Sequence, residues 1–106
     1  MTDKWWTSEE TRHYQGETFH TRARWLGRID DHLGRADQYR AVVRISQDIE
    51  YDDTPWISLW QNNGRTPPAT YTVEDARTLG YALLDAAEIV DRERDAAIRR
   101  LTENTP

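Results

Sequence analysis

The sequence predicts an α+β domain in which a small antiparallel β-meander of two to three strands packs against one long C-terminal α-helix. Two observations carry this prediction. Residues 39–51 alternate between apolar and polar side chains, which is typical of a strand with one buried face. Residues 73–101 repeat apolar side chains at intervals of three and four, which is typical of an amphipathic helix. We therefore expect a single domain over residues 1–106.

The N-terminal third has the weakest pattern. Residues 1–16 show no clear period, so we expect a loose N-terminal arm that Trp5 and Trp6 hold in place. Residues 17–61 are expected to form the meander. Its first strand is indicated by the alternation of Phe19, Thr21, Ala23 and Trp25.

The next two strands are expected to form a hairpin. The turn chemistry of "YDDTP" separates residues 39–51 from the strand "WISLWQ" at 56–61. Alternation would place one set of side chains toward the helix, namely Tyr39, Val43, Ile45, Ile57 and Leu59. The opposite face would then carry Arg40, Val42, Arg44, Trp56 and Trp60.

The last element is a helix over residues 72–101, preceded by a loop over residues 62–71. Thr72 is a suitable N-cap, and Asp75 follows it three residues later, as in a capping box. About 29 helical residues extend roughly 43 Å, which is more than the width of a domain of this size. We therefore expect the final turns, with Arg92, Ile98 and Leu101, to project and to contact another molecule.

Composition narrows the class of protein. The net charge is −5 and there is no cysteine, so a reducing cytoplasm is the expected location and duplex nucleic acid is not an expected partner. No apolar run approaches the ~20 residues of a membrane span. The opening "MTDKWWTSEE" also lacks the apolar segment of a signal peptide.

Motifs for catalysis are missing from the sequence. It has no Cys nucleophile, no Gly-x-Ser-x-Gly elbow and no glycine-rich phosphate loop, so we expect neither an enzyme nor a bound cofactor. Asp52 and Asp53 are adjacent acids before a proline and fit a turn. The one set with metal-binding chemistry is His13, His20 and His32, whose wide spacing is atypical of zinc sites.

The segments "DDHLG" and "YTVEDARTLGYALLDAAEIVD" resemble a family of small domains from actinobacteria and their phages that has no assigned activity. The resemblance covers about the last two thirds of the chain. It implies a short meander closed by an Ala/Leu-rich helix, and an actinobacterial or phage accessory protein. Members often carry Cys beside the N-terminal Trp and His, which implies a metal site in them. This chain has "WWTSEE" there, so that implication does not extend to it.

The expected function is a non-enzymatic protein-interaction module that binds a host protein. Aromatic residues and Arg are the types that interface hot spots favour. The proposed contact residues are Arg40, Val42, Arg44, Trp56 and Trp60 on the sheet, with Arg92, Ile98 and Leu101 on the helix.

Other interpretations remain open for the same residues. Arg40 and Arg44 could simply stack on Trp56 and Trp60, or the N-terminal arm could cover them. The chain could instead form a homodimer, with its contact through the Ala-rich apolar stripe of the helix or through the edge of the hairpin. A small ligand or metal bound by the N-terminal histidines is a further alternative.

Overall fold

The computed structural model describes residues 4–31, 33, 35 and 38–103 of the 106. The chain separates into a sheet unit that extends to Thr72 and a helical unit that begins at Val73, and each is described by itself. The elements are β1 (Ser8–Tyr14), β2 (Glu17–Asp30), β3 (Tyr39–Asp48), β4 (Trp56–Gln61), a 3₁₀ turn (Asn62–Gly64), β5 (Thr66–Tyr71) and α1 (Val73–Glu103).

The sheet is a five-stranded antiparallel meander with the order β1-β2-β3-β4-β5. The α+β class is therefore confirmed, with more strands than the two to three expected. The predicted strands over residues 39–51 and 56–61 correspond to β3 and β4, and the alternating segment from Phe19 to Trp25 lies within β2.

Strand β1 lies where the sequence predicted part of a loose arm. It pairs with β2 in register from Ser8 opposite Ala23 to Tyr14 opposite Glu17. Gln15 and Gly16 both have positive φ and close the two-residue turn, as a type I′ hairpin requires. The strand has no apolar period because it is an edge strand whose residues, apart from Ser8, are exposed.

Strand β5 lies where the sequence predicted a loop. It contains Pro67 and Pro68. Proline cannot donate to the ladder and is tolerated at the edge of a sheet. Strand β5 pairs only with β4 among the described strands, so both prolines fit there.

The helical unit is one continuous helix over Val73–Glu103, in agreement with the helix expected at residues 72–101. Glu74 and Asp75 lie in its first turn and Arg100 in its last, which complements the helix dipole. The packing of this helix on the sheet stays a prediction. In the described part of the chain, no helix has both the length and the apolar character that a membrane span requires.

Candidate functional site

One face of the sheet carries three of the five tryptophans. Pairing sets Trp25 opposite Arg44, Val42 opposite Trp60, and Ser46 opposite Trp56. Paired residues share a face of the sheet, so four predicted residues lie together there, namely Val42, Arg44, Trp56 and Trp60. Trp25, which was not predicted, joins them. We call this surface the Trp–Arg face and define it by Trp25, Arg44, Trp56 and Trp60.

Arg44 occupies the centre of the Trp–Arg face. Its guanidinium carbon lies 5.3 Å from the ring centroid of Trp25 and 6.0 Å from that of Trp60. The two indoles meet edge to face with centroids 5.6 Å apart. Only 12% of the Arg44 side chain is exposed, and its buried Nε donates no hydrogen bond to any described residue. The arginine is therefore held mainly by the rings, as in a cation–π stack.

The layer beneath this stack is the buried part of the sheet. Thr21, Ala23 and Val42 are the buried residues of the described chain, and all three share the Trp–Arg face. Val42 was expected to be a contact residue, but only 5% of it is exposed. It supports the surface from below, because the neighbouring aromatic and arginine side chains are longer.

Polar contacts fix two of the three indoles. The Trp56 Nε1–H donates to the Asp52 carboxylate at 2.7 Å, and the same carboxylate oxygen accepts the Asp48 backbone N–H at 2.8 Å. The Trp60 Nε1–H donates to the Ser58 hydroxyl at 3.0 Å. The turn before β4 thus sets the orientation of Trp56.

Open cavities lie on both sides of the Trp25–Trp60 pair. One, of about 240 Å³, is lined by Arg12, Arg44, Ser46, Asp48, Trp56, Ser58, Trp60, Pro68 and Thr70. The other, of about 570 Å³, is lined by Trp25, Leu26, Gly27, Arg28, Tyr39 and Val42. Gly27 has a φ of 64° at the irregularity of the β2–β3 pairing, so this cavity opens where the strand bulges.

Charges on the Trp–Arg face are balanced locally. Arg12 on β1 lies 3.9 Å from the Asp48 carboxylate, and Arg44 lies 3.8 Å from that of Glu10. Arg12 also donates to the buried Thr21 hydroxyl at 3.3 Å, which in turn donates to Asp48 at 2.7 Å. Both arginines are thus near carboxylates before any ligand binds.

Two alternatives were left open for the cover of this face, one by Arg40 and Arg44 and the other by the N-terminal segment. Arg44 lies over the rings of Trp25 and Trp60, while the Arg40 Nε donates to the Asp30 carbonyl at 3.1 Å. In the described part of the N-terminal segment, Trp6 lies under Arg22, with 4.0 Å from its ring centroid to the guanidinium carbon. Arg22 alternates with Ala23 along β2 and so belongs to the opposite face.

The three predicted helix residues do not form one surface. Arg92, Ile98 and Leu101 are all exposed on α1. Ile98 and Leu101 share a side at a separation of three residues. Arg92 precedes Leu101 by nine residues, which is two and a half turns, so it lies on the opposite side.

The histidines do not come together in the described residues. The His13 ring contacts the Thr18 hydroxyl at 3.1 Å, while the His20 ring contacts the Glu50 carboxylate. His20 lowers the pKa of Glu50 below its ordinary 4.5, through the ring contact and a backbone N–H bond of 3.1 Å. No group of three metal-binding side chains occurs among the residues that the structure describes, and His32 lies outside them.

Sequence reasoning missed Trp25, Arg12 and Asp52 as parts of this site. Alternation did place Trp25 on a strand face, but the pairing register was needed to set it beside Arg44. Comparisons with protein-family models, curated proteins and solved structures find no match. The surface therefore has to be interpreted from its own chemistry.

Proposed function

We propose that this chain is a non-enzymatic protein-interaction module whose contact surface is the Trp–Arg face. The observation that carries the proposal is the exposure of two tryptophans beside a held arginine. Trp25, whose ring Arg44 contacts, is 45% exposed, and Trp56 on the same face is 47% exposed. Tryptophan and arginine are the residues most enriched at interface hot spots.

The rigidity of the surface supports this role. Hydrogen bonds hold the Trp56 and Trp60 indoles, and ring contacts hold Arg44, so little side-chain freedom is left to lose on binding. The cavities on both sides offer space for side chains of a partner. Pre-organised aromatic and arginine side chains beside pockets are typical of protein-interface hot spots.

Charge favours a protein partner over a nucleic acid. Single-stranded nucleic acid binding combines stacking rings with a cationic groove for phosphates. Here Arg12 and Arg44 already lie near Asp48 and Glu10, so phosphate binding would bring anions toward carboxylates. A partner with apolar and neutral polar side chains fits this face better.

The partner is proposed to be a host protein, in keeping with the actinobacterial or phage origin that the resemblance implies. The cytoplasm is the proposed location because the sequence has no cysteine. The helix would add a second contact region near Ile98 and Leu101, of which 60% and 72% are exposed.

The test begins with affinity capture from an actinobacterial lysate and ends with purified components. The captured protein is produced alone and titrated against the wild type, Trp56→Ala and Arg44→Ala by calorimetry. Loss of a hot-spot residue costs about 2 kcal/mol or more, so each variant should bind roughly thirtyfold more weakly. Circular dichroism checks that each variant is folded.

The matched control is Tyr81→Ala. Tyr81 is an exposed aromatic residue of α1, 67% accessible, and is remote in sequence from the Trp–Arg face. The Tyr81→Ala variant should bind the captured protein with the wild-type affinity. Equal affinity of the folded Trp56→Ala variant and the wild type would refute the proposed surface, as would saturable binding of a single-stranded oligonucleotide that Trp56→Ala abolishes.

A further inference from the structure

Helix α1 has an apolar face without a single buried residue. The helix extends over 31 residues, and none of them is buried. The exposed fractions of its aliphatic side chains are high, with Val73 at 50%, Leu83 at 63% and Val90 at 46%. Most of a helix's stability comes from packing of its apolar face. Described by itself, the helix therefore has an apolar face that a packing partner can cover.

The face has the spacing of a coiled coil. Starting at Val73, residues at alternating intervals of three and four are small or apolar over four heptads, with one exception, Arg94. They are Val73, Ala76, Gly80, Leu83, Ala87, Val90, Arg94, Ala97 and Leu101. We call these nine positions the seam. Such a heptad pattern predicts a partner helix that packs along it.

We propose that the occupant is α1 of a second copy of this chain, packed antiparallel. One antiparallel register pairs Val73, Leu83 and Val90 each with a small seam residue, while Leu101 extends past the first residue of the partner helix. It places Val73 against Ala97 of the second copy, Gly80 against Val90, and Leu83 against Ala87. Side chains of unequal size interdigitate at native density and leave neither voids nor clashes.

The seam residue Arg94 also favours the antiparallel direction. A parallel, in-register pair would place Arg94 against Arg94 and Gly80 against Gly80, so it would combine like charges with an unfilled layer. In the antiparallel register Arg94 lies against Ala76, near the acidic first turn at Glu74. The aliphatic part of Arg94 can cover Ala76 while its charge remains in water.

Charge complementarity beside the seam supports this register. It brings Arg77 of one copy next to Asp91 of the other, and the two-fold axis repeats that contact. Within the described residues, neither Arg77 nor Asp91 forms an ion pair in its own chain. In an antiparallel pair the two helix dipoles point in opposite directions, which is favourable.

Sedimentation equilibrium of the full chain tests the association. The wild type should have twice the 12.5 kDa mass of one chain. Val90→Asp places a charge in the seam and should give a monomer, whereas Ile89→Asp, on the adjacent outer position with 52% exposure, should remain dimeric. A monomeric wild type, or a dimeric Val90→Asp variant, would overturn the proposal.

Disulfide trapping tests the direction, since the chain has no cysteine of its own. Gly80→Cys and Val90→Cys are oxidised separately and as a mixture. The antiparallel register predicts covalent dimers in the mixture and none with either variant alone. Cross-linking of each variant with itself would show a parallel pair and overturn the register. This inference concerns the helix and is independent of the binding proposed for the sheet. It is an alternative to the expected packing of the same apolar stripe on the chain's own sheet, which a monomeric wild type would favour.

Discussion

The indole N–H of Trp56 donates to the Asp52 carboxylate at 2.7 Å. This contact joins the β3–β4 turn to the Trp–Arg face, because the same carboxylate oxygen also accepts the Asp48 backbone N–H. An acid that looked like ordinary turn chemistry in the sequence therefore orients an exposed tryptophan.

Asp52→Ala should lower the free energy of unfolding by about 1–2 kcal/mol, because two hydrogen bonds to one carboxylate are lost. It should also shift the NMR resonance of the Trp56 indole N–H, because that group loses its hydrogen-bond acceptor. Denaturant titration and NMR measure the two effects. Asp53→Ala is the control, since no bond involving the exposed Asp53 side chain occurs among the described residues. Equal losses in the two variants would contradict the assigned role of Asp52.

Thr21→Val should destabilise the sheet by about 1–3 kcal/mol, since it leaves Asp48 without a buried donor. Thr21 is 1% exposed, and its hydroxyl donates to Asp48. Thr11→Val, on the exposed edge strand β1, should change stability by about 0.5 kcal/mol or less. Chemical denaturation compares the two substitutions, and the prediction fails if Thr21→Val is as mild as Thr11→Val.

Trp60→Ala should cost more stability than Trp56→Ala. Trp60 is half-buried against Trp25 and Arg44, whereas 47% of Trp56 is accessible. We expect losses of about 3 kcal/mol for Trp60 and about 1 kcal/mol for Trp56 from the difference in buried area. Midpoints of urea unfolding give the order, and the reverse order would show that Trp56 is the structural residue.

Glu50 should give the fold a pH dependence on the acid side. His20 lowers the pKa of Glu50 in the folded state. The ionised Glu50 therefore stabilises the fold above pH 4.5, and this contribution is lost as the pH falls through the lower pKa of the folded state. Glu50→Gln should therefore be less stable than the wild type near neutral pH, and the difference should shrink in acid. Unfolding curves measured across the acid range test this, and parallel curves would disprove it.

The sequence by itself determined the α+β class, the strands β3 and β4, the alternation in β2 and the extent of α1. These elements have an intrinsic period, because one side of each is apolar. Edge strands β1 and β5 lack that asymmetry, since charged side chains and prolines occur where no second strand pairs.

Only the tertiary structure decided which residues meet on the Trp–Arg face. Strand register is a relation between segments distant in sequence, so it set Trp25 beside Arg44 and placed the buried Val42 beneath them. The turn geometry likewise selected Asp52, rather than the adjacent Asp53, as the partner of Trp56. Local patterns show which side a residue faces, whereas the residues that it contacts there depend on the pairing of whole strands.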